Sequence, residues 1–210
     1  MLVDKSITDY MNDLASSLPA PGGGSVAALT GALGASLLAM VCHLTIGKEE
    51  FADIEANLQV ALQKSDELRD RLTRLVDEDA QAFSSVIKAF KMPKDTAEEK
   101  AARTNAIQTG YKKAADIPYT IATTSLEVLV LAKNLIPLSN PNVITDVGVA
   151  ALNAQASVES AIMNVNINLP SIKDEVYVND RKRNIDNLLS QSNTLKNEIG
   201  ENVNKMLQVG

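Results

Sequence analysis

A chain of 210 residues, 45% hydrophobic and 22% charged, is long and apolar enough to bury a core without covalent or metal staples. Lys and Arg number 20 against 26 Asp and Glu, a net charge of -6 with no long basic run, which argues against a protein that tracks a nucleic-acid backbone. Cys42 is the only cysteine, so no intrachain disulfide forms, and a reducing compartment, the cytoplasm, is expected.

Trp is absent and aromatics make up 3%, while Ala, Leu and Val abound, which favours helix packed on helix. The expected class is all-α, a long-helix bundle in a single domain over 1–210. Ser6 followed by Asp9 caps a first helix, with Ile7, Tyr10, Met11, Leu14 and Leu18 as its apolar stripe and Pro19 and Pro21 as its end. Three glycines then lead to Ser25, a good N-cap, and an uncharged helix runs to about Thr45, where Gly47 supplies the turn. Ala27, Gly31, Ala35 and Ala39 recur at every fourth residue of it. A face without bulk lets another backbone approach, so this helix belongs at the centre of a bundle or in a dimer contact. The stretch Val26 to Ile46 is also about as long as a membrane span. Its Gly, Ser, Thr and His content, and the lack of a second hydrophobic run with basic flanks, favour a buried helix of a soluble protein. A signal peptide would need a basic start and an apolar run nearer Met1.

From Phe51 to Lys91 the pattern predicts a helix near forty residues, about 60 Å long. Its apolar stripe is Ile54, Leu58, Leu62, Leu68, Leu72, Leu75, Val76, Phe83, Val86 and Phe90. Pro93 stops it, and Thr96 with Glu99 opens the next helix as a capping box, carrying Arg103, Ile107 and Tyr111 towards Asp116. Pro118 is then expected to begin a helix through Leu135. After a Pro/Asn loop over 137–142, Thr145 caps a helix rich in small residues that ends near Asn168 and Pro170. A last amphipathic helix, carrying Ile185, Leu188, Leu189, Leu195, Ile199, Val203 and Met206, packs on the outside. No internal repeat, low-complexity tract or interdomain linker interrupts this order.

Several polar residues fit a structural role poorly. Asp79 lies in the middle of the apolar stripe of the long helix, where an unpaired charge is costly to bury. It either has a partner or carries a raised pKa suited to proton transfer; a structural salt bridge is the alternative. Asp77 and Glu78 point elsewhere and are expected to be solvated. Asp146 falls in the first turn of its helix, where the dipole favours a carboxylate. The same face continues through Ala150, Asn153, Ser157, Ala161, Asn164 and Asn168, a track that suits either a pocket wall or hydrogen bonding between helices. The Gly22-Gly23-Gly24-Ser25 turn can offer free N–H groups to an anion or heterocycle, or simply be tight. No Gly-Lys-Ser/Thr follows it and no strand precedes it, so nucleotide binding drops out. His43 is the only histidine and stands in an apolar run, where a core or interface position is commoner than catalysis. One His and one Cys make no zinc site and no Ser-His-acid set, and Cys42 is most simply a small buried residue.

The segment Pro19-Ala20-Pro21-Gly22-Gly23-Gly24-Ser25, the small-residue helix to Leu44-Thr45-Ile46-Gly47, Asp79 with Ala82-Phe83, and Asn142 to Asp146 together resemble the cyclodeaminase/cyclohydrolase family of folate enzymes. Asp146-Val147-Gly148 and Asn164-Val165-Asn166-Ile167-Asn168 extend the resemblance over nearly the whole chain. His43 stands where a small or amide residue is expected. The resemblance implies a helical homodimer whose site, near the subunit contact, binds a tetrahydrofolate carrying a one-carbon unit. The implied reaction converts 5-formimidoyltetrahydrofolate to 5,10-methenyltetrahydrofolate and ammonia, or, alternatively, adds water to the methenyl carbon to open the ring. Both pass through a tetrahedral carbon and need a proton donor and acceptor, with no metal and no cofactor beyond the folate. On that resemblance Asp79 is the acid/base or pterin-holding carboxylate, Asp146 its partner, and Asn164 and Asn168 hydrogen-bond the substrate. Gly22, Gly23, Gly24 and Ser25 would shape the wall, and Arg103, whose guanidinium suits carboxylates, is the candidate for the glutamate tail or else a solvated helix-face residue. The competing class is a non-catalytic helical dimerisation module, against which Asp79 and Asp146 count.

Overall fold

A computed structural model describes residues 1–208. Six α-helices carry the chain: α1 (Ile7–Leu14), α2 (Gly23–His43), α3 (Glu55–Phe90), α4 (Ala97–Leu135), α5 (Ile144–Asn168) and α6 (Glu175–Gln208); no strand occurs among the described residues. The uncharged α2 packs against α3, α4 and α5, burying Ala27, Ala28, Gly31, Ala35 and Leu38. Its four-residue repeat of small side chains does what close approach requires. A Cβ on Gly31 would stand 2.7 Å from Ser125 Oγ and 2.8 Å from Ser157 Oγ, so only glycine lets α4 and α5 close on α2 there. Leu58, Leu68, Leu72 and Val76 of α3 and Ile121, Val128 and Leu129 of α4 complete the interior. α6 lies outside with Ile185, Leu188, Ile199 and Val203 turned inward. By length and composition α2 and the Ala97–Leu138 stretch could each cross a membrane, and both are mostly buried among the other helices.

Several boundaries differ from those expected. Ser6 does cap α1, accepting from Asp9 N–H at 3.1 Å, but the helix stops at Leu14. Of its stripe only Tyr10 is buried; Ile7, Met11, Leu14 and Leu18 remain exposed, because two turns on the outside of the bundle meet only one face. Ser25 is not an N-cap: Gly22 takes that place in extended backbone, and Gly23 and Gly24 form the first turn. Thr145 likewise sits inside α5, which starts at Ile144. A 3₁₀ stretch over Glu49–Ile54 precedes α3, leaving 36 residues, about 54 Å. The Thr96–Glu99 capping box is present. Pro118, however, begins nothing, since α4 runs through it unbroken. A proline inside a helix removes one N–H and orphans the carbonyl four residues earlier. Here that carbonyl is Ala114, and Asn168 Nδ2 donates to it at 3.1 Å.

Candidate functional site

A cleft of about 490 Å³ opens where the start of α2, the last turns of α3, the middle of α4 and the end of α5 converge. Along α3 its wall is Asp79, Phe83, Val86, Ile87 and Phe90. The spacing of three and four keeps these residues on one face of the helix. Gly22, Gly23 and Gly24 form the α2 side, Tyr111 and Ala114 the α4 side, and Asn164 and Asn168 the α5 side.

Asp79 is partly buried at the amino-terminal end of α2. A Cβ on Gly24 would overlap the Asp79 carboxyl, so glycine is what lets the acid seat against this helix terminus. Burial pushes the Asp79 pKa above the usual carboxylate range, while the Ser25 hydroxyl and backbone N–H pull against that rise. The Ser25 oxygen lies 2.9 Å from the Val76 carbonyl and 3.2 Å from Asp79 Oδ2. It is itself fully buried behind the cleft. A hydroxyl has a single proton to give. When that proton goes to Val76, the Ser25 oxygen is free to accept one from a protonated Asp79. The acid can therefore be held in either protonation state, as a group that exchanges a proton with a ligand must be.

The two α5 amides present different faces. Asn164 Nδ2 donates one hydrogen to Ser160 O at 2.8 Å. It packs beside Gly23, where a Cβ would come within 3.1 Å of its amide. Asn168 Nδ2 donates to both Asn164 O at 2.8 Å and Ala114 O at 3.1 Å. Of three Phe and four Tyr in the chain, Phe83, Phe90 and Tyr111 line this cleft. Phe90 meets Tyr111 edge to face, with ring centroids 6.1 Å apart. Phe83 and Phe90 keep 45% and 44% of their surface exposed, which places aromatic faces beside the acid. Arg103 stands just beyond: its Nε and one Nη donate to Phe90 O at 3.3 and 3.2 Å, and its guanidinium lies 5.7 Å from the Phe90 ring centre.

Other candidates fall elsewhere. Asp146 is in the first turn of α5, and eighteen residues of helix, about 27 Å, separate it from Asn164. Within one chain it is therefore not beside Asp79, because a shared helix face says nothing about distance along the axis. Ser157 on the same track is buried, bonded to Ala27 O at 2.7 Å and to Ser125 Oγ at 2.7 Å, while Asn153 donates to its own Val149 O at 2.9 Å. That track is a helix–helix seam in its middle and a cleft wall only at its end. His43 is exposed at the far end of α2 from the glycines. Cys42 is buried, its thiol pushed up to about 11 by burial. Asp77, expected in solvent, is 8% exposed. The 3₁₀ turn Leu2–Asp4 covers it, and Leu2 N–H donates to its Oδ1 at 2.6 Å.

The aromatic wall is the part that sequence reasoning missed, since Phe83 and Phe90 read as core positions of the α3 stripe. The available signal was scarcity: few aromatics, two of them a helical spacing from an acid on one stripe.

The chain is similar to known proteins over nearly its whole length. Residues 6–187 match the family described as formiminotransferase-cyclodeaminase. A methenyltetrahydrofolate cyclohydrolase of Methylorubrum extorquens is 41% identical over 203 residues, covering 97% of this chain and 98% of the relative. The formimidoyltransferase-cyclodeaminase of Rattus norvegicus is 34% identical over 193 residues, 92% of this chain but only 36% of the relative's length. The crystal structure of a formiminotetrahydrofolate cyclodeaminase from Thermotoga maritima superimposes with a TM-score of 0.81 at 26% identity, over 99% of this chain and 98% of that one.

Proposed function

The chain belongs to the formiminotransferase-cyclodeaminase family, and from that membership we propose that the cleft binds a tetrahydrofolate carrying a one-carbon unit and acts on the ring joining N5 and N10. The observation that carries this reading is a carboxyl group held above its usual pKa, Asp79, in one cleft with two amides and three aromatic rings. Rings suit the flat pterin and aminobenzoyl groups, and the amides suit the pterin edge.

The hydrolytic direction is favoured because the relative named for it is 41% identical over 97% of this chain, against 26% for the cyclodeaminase structure. Asp79, as carboxylate, accepts a proton as water adds to the methenyl carbon. The neutral acid then returns that proton to N5 as the carbon–N5 bond breaks. The second hydroxyl proton leaves to solvent, so one proton is released per 10-formyltetrahydrofolate formed. A second reading, closure of 5-formimidoyltetrahydrofolate with loss of ammonia, is favoured by the fold match to a cyclodeaminase. It asks the same acid to protonate the departing nitrogen. Neither needs a cofactor beyond the folate. Arg103 at the Phe90 end is the proposed contact for the glutamate tail.

The protein is proposed to act in the cytoplasm as a homodimer, covering Leu33 and Met40 of α2 and Val149 and Leu152 of α5, which a single chain leaves exposed. Neither nucleic acid nor membrane enters the scheme. Purified protein incubated with 5,10-methenyltetrahydrofolate is expected to bleach the methenyl absorbance, and with 5-formimidoyltetrahydrofolate to raise it with ammonia if the second reading holds. Silence with both would overturn the enzymatic reading, and a monomer by light scattering would overturn the dimer.

A further inference from the structure

Pro118 is buried in α4 and stands outside the cleft, yet it governs what the cleft presents. A primary amide nitrogen carries two hydrogens, and Asn168 spends both, one on Asn164 O at 2.8 Å and one on Ala114 O at 3.1 Å. Ala114 O receives the second in place of the ladder bond that Pro118, four residues on, has no N–H to supply. Neighbouring bonds hold the same two segments in register. Gln108 Nε2 donates to Ser171 O at 3.0 Å, and Lys173 N–H donates to Gln108 Oε1 at 2.8 Å. With its hydrogens committed to backbone, Asn168 has only Oδ1 left for a ligand. Asn164, which spends one hydrogen on Ser160 O, keeps a donor as well.

We propose that Pro118 is a positioning residue that sets the polarity of Asn168, so that this point of the cleft accepts a hydrogen bond and selects a ligand N–H over a ligand carbonyl. The inference rests on the tetrahydrofolate reading for the identity of that N–H, a ring or amino N–H on the edge of the reduced pterin. With alanine at 118 the helix regains an N–H that competes for Ala114 O, so the Asn168 hydrogen is held there less firmly and turns more often into the cleft against the ligand's own.

The test is Pro118→Ala, alone and combined with Asn168→Ala. Alanine is the better helix former, so helicity by circular dichroism is expected to hold. The dissociation constant of 5-formyltetrahydrofolate, a stable reduced folate, is expected to rise roughly five- to tenfold, with KM following and kcat within about twofold. In the Asn168→Ala background the same change should have no further effect. An equal loss in both backgrounds, or no loss in either, overturns the proposal. A ligand-free measurement separates this from the functional reading: both Asn168 side-chain amide hydrogens should exchange slowly in the ¹⁵N-labelled parent, and one should speed up in Pro118→Ala. Free-amide exchange of either hydrogen in the parent, or unchanged rates in the variant, refutes the positioning role. Absence of folate binding by a parent with slow exchange refutes the tetrahydrofolate reading instead.

Discussion

Gly24→Ala is expected to separate catalysis from stability. The three atoms nearest an added Cβ all belong to the Asp79 carboxyl group, so the methyl group displaces the acid first. Asp79 must swing away from the α2 terminus, losing its contact with Ser25 Oγ at 3.2 Å. A hydrogen bond to a charged group contributes about 1.5–3 kcal/mol, while replacing glycine by alanine in a helix returns about 0.5–1 kcal/mol. The net cost is about 0.5–2.5 kcal/mol, and each kcal/mol lowers Tm by about 2–4 °C in a chain of this size. Catalysis has no such offset. A displacement near 1 Å at a reacting group costs about a hundredfold, so kcat for loss of the methenyl absorbance should fall by about two orders of magnitude in a folded protein. The assay pairs that rate with a melting curve on the same sample. Activity within threefold of the parent, with the fold intact, would show that Asp79 is not the group on which turnover depends.

Asp79→Asn should alter stability in a pH-dependent way. Because folding raises the Asp79 pKa, the native state favours the protonated acid. That contribution is complete below the unfolded value of about 3.9 and is lost as pH rises through the folded one. The amide cannot ionise, so the Tm of the variant should gain on the parent as pH rises from about 4 through the raised native value; a constant difference would contradict the burial effect. Phe83→Ala and Phe90→Ala remove rings that are nearly half exposed, so each should leave Tm within a few degrees. Each should raise KM for methenyltetrahydrofolate about three- to tenfold through lost stacking, with kcat little changed. A large Tm loss without a KM effect would return these residues to the core.

Much of the bundle was legible because its signals are local. The Thr96–Glu99 capping box, the four-residue run of small side chains on α2 and the period of α6 each depend on residues within a turn or two. Asp79 stood out because a carboxylate on an apolar stripe must be explained wherever that stripe lands. Gly22–Gly24, Asn164 and Asn168 were singled out by type and spacing, and they do line the cleft with it. The readings that fail do so where a position on a helix was taken for a position in space. Asp77, on the polar side of the α3 stripe, is buried because the first residues of the chain lie over it. Pro118 looked like a helix start because its missing N–H has a local cost, and the Asn168 amide that offsets it is fifty residues away.

Helical period, caps and glycine spacing thus determined from sequence alone which residues share a face and where chain could approach chain. Which faces meet, whether Phe83 and Phe90 fill a core or wall a cleft, and which of two amide atoms Asn168 turns towards a ligand were decided by tertiary structure. The physical reason is that a side chain's rotation about its own helix is set within about four residues. What stands opposite it depends on where helices cross, and here on contacts such as the one between Gly24 and Asp79 that no local pattern encodes.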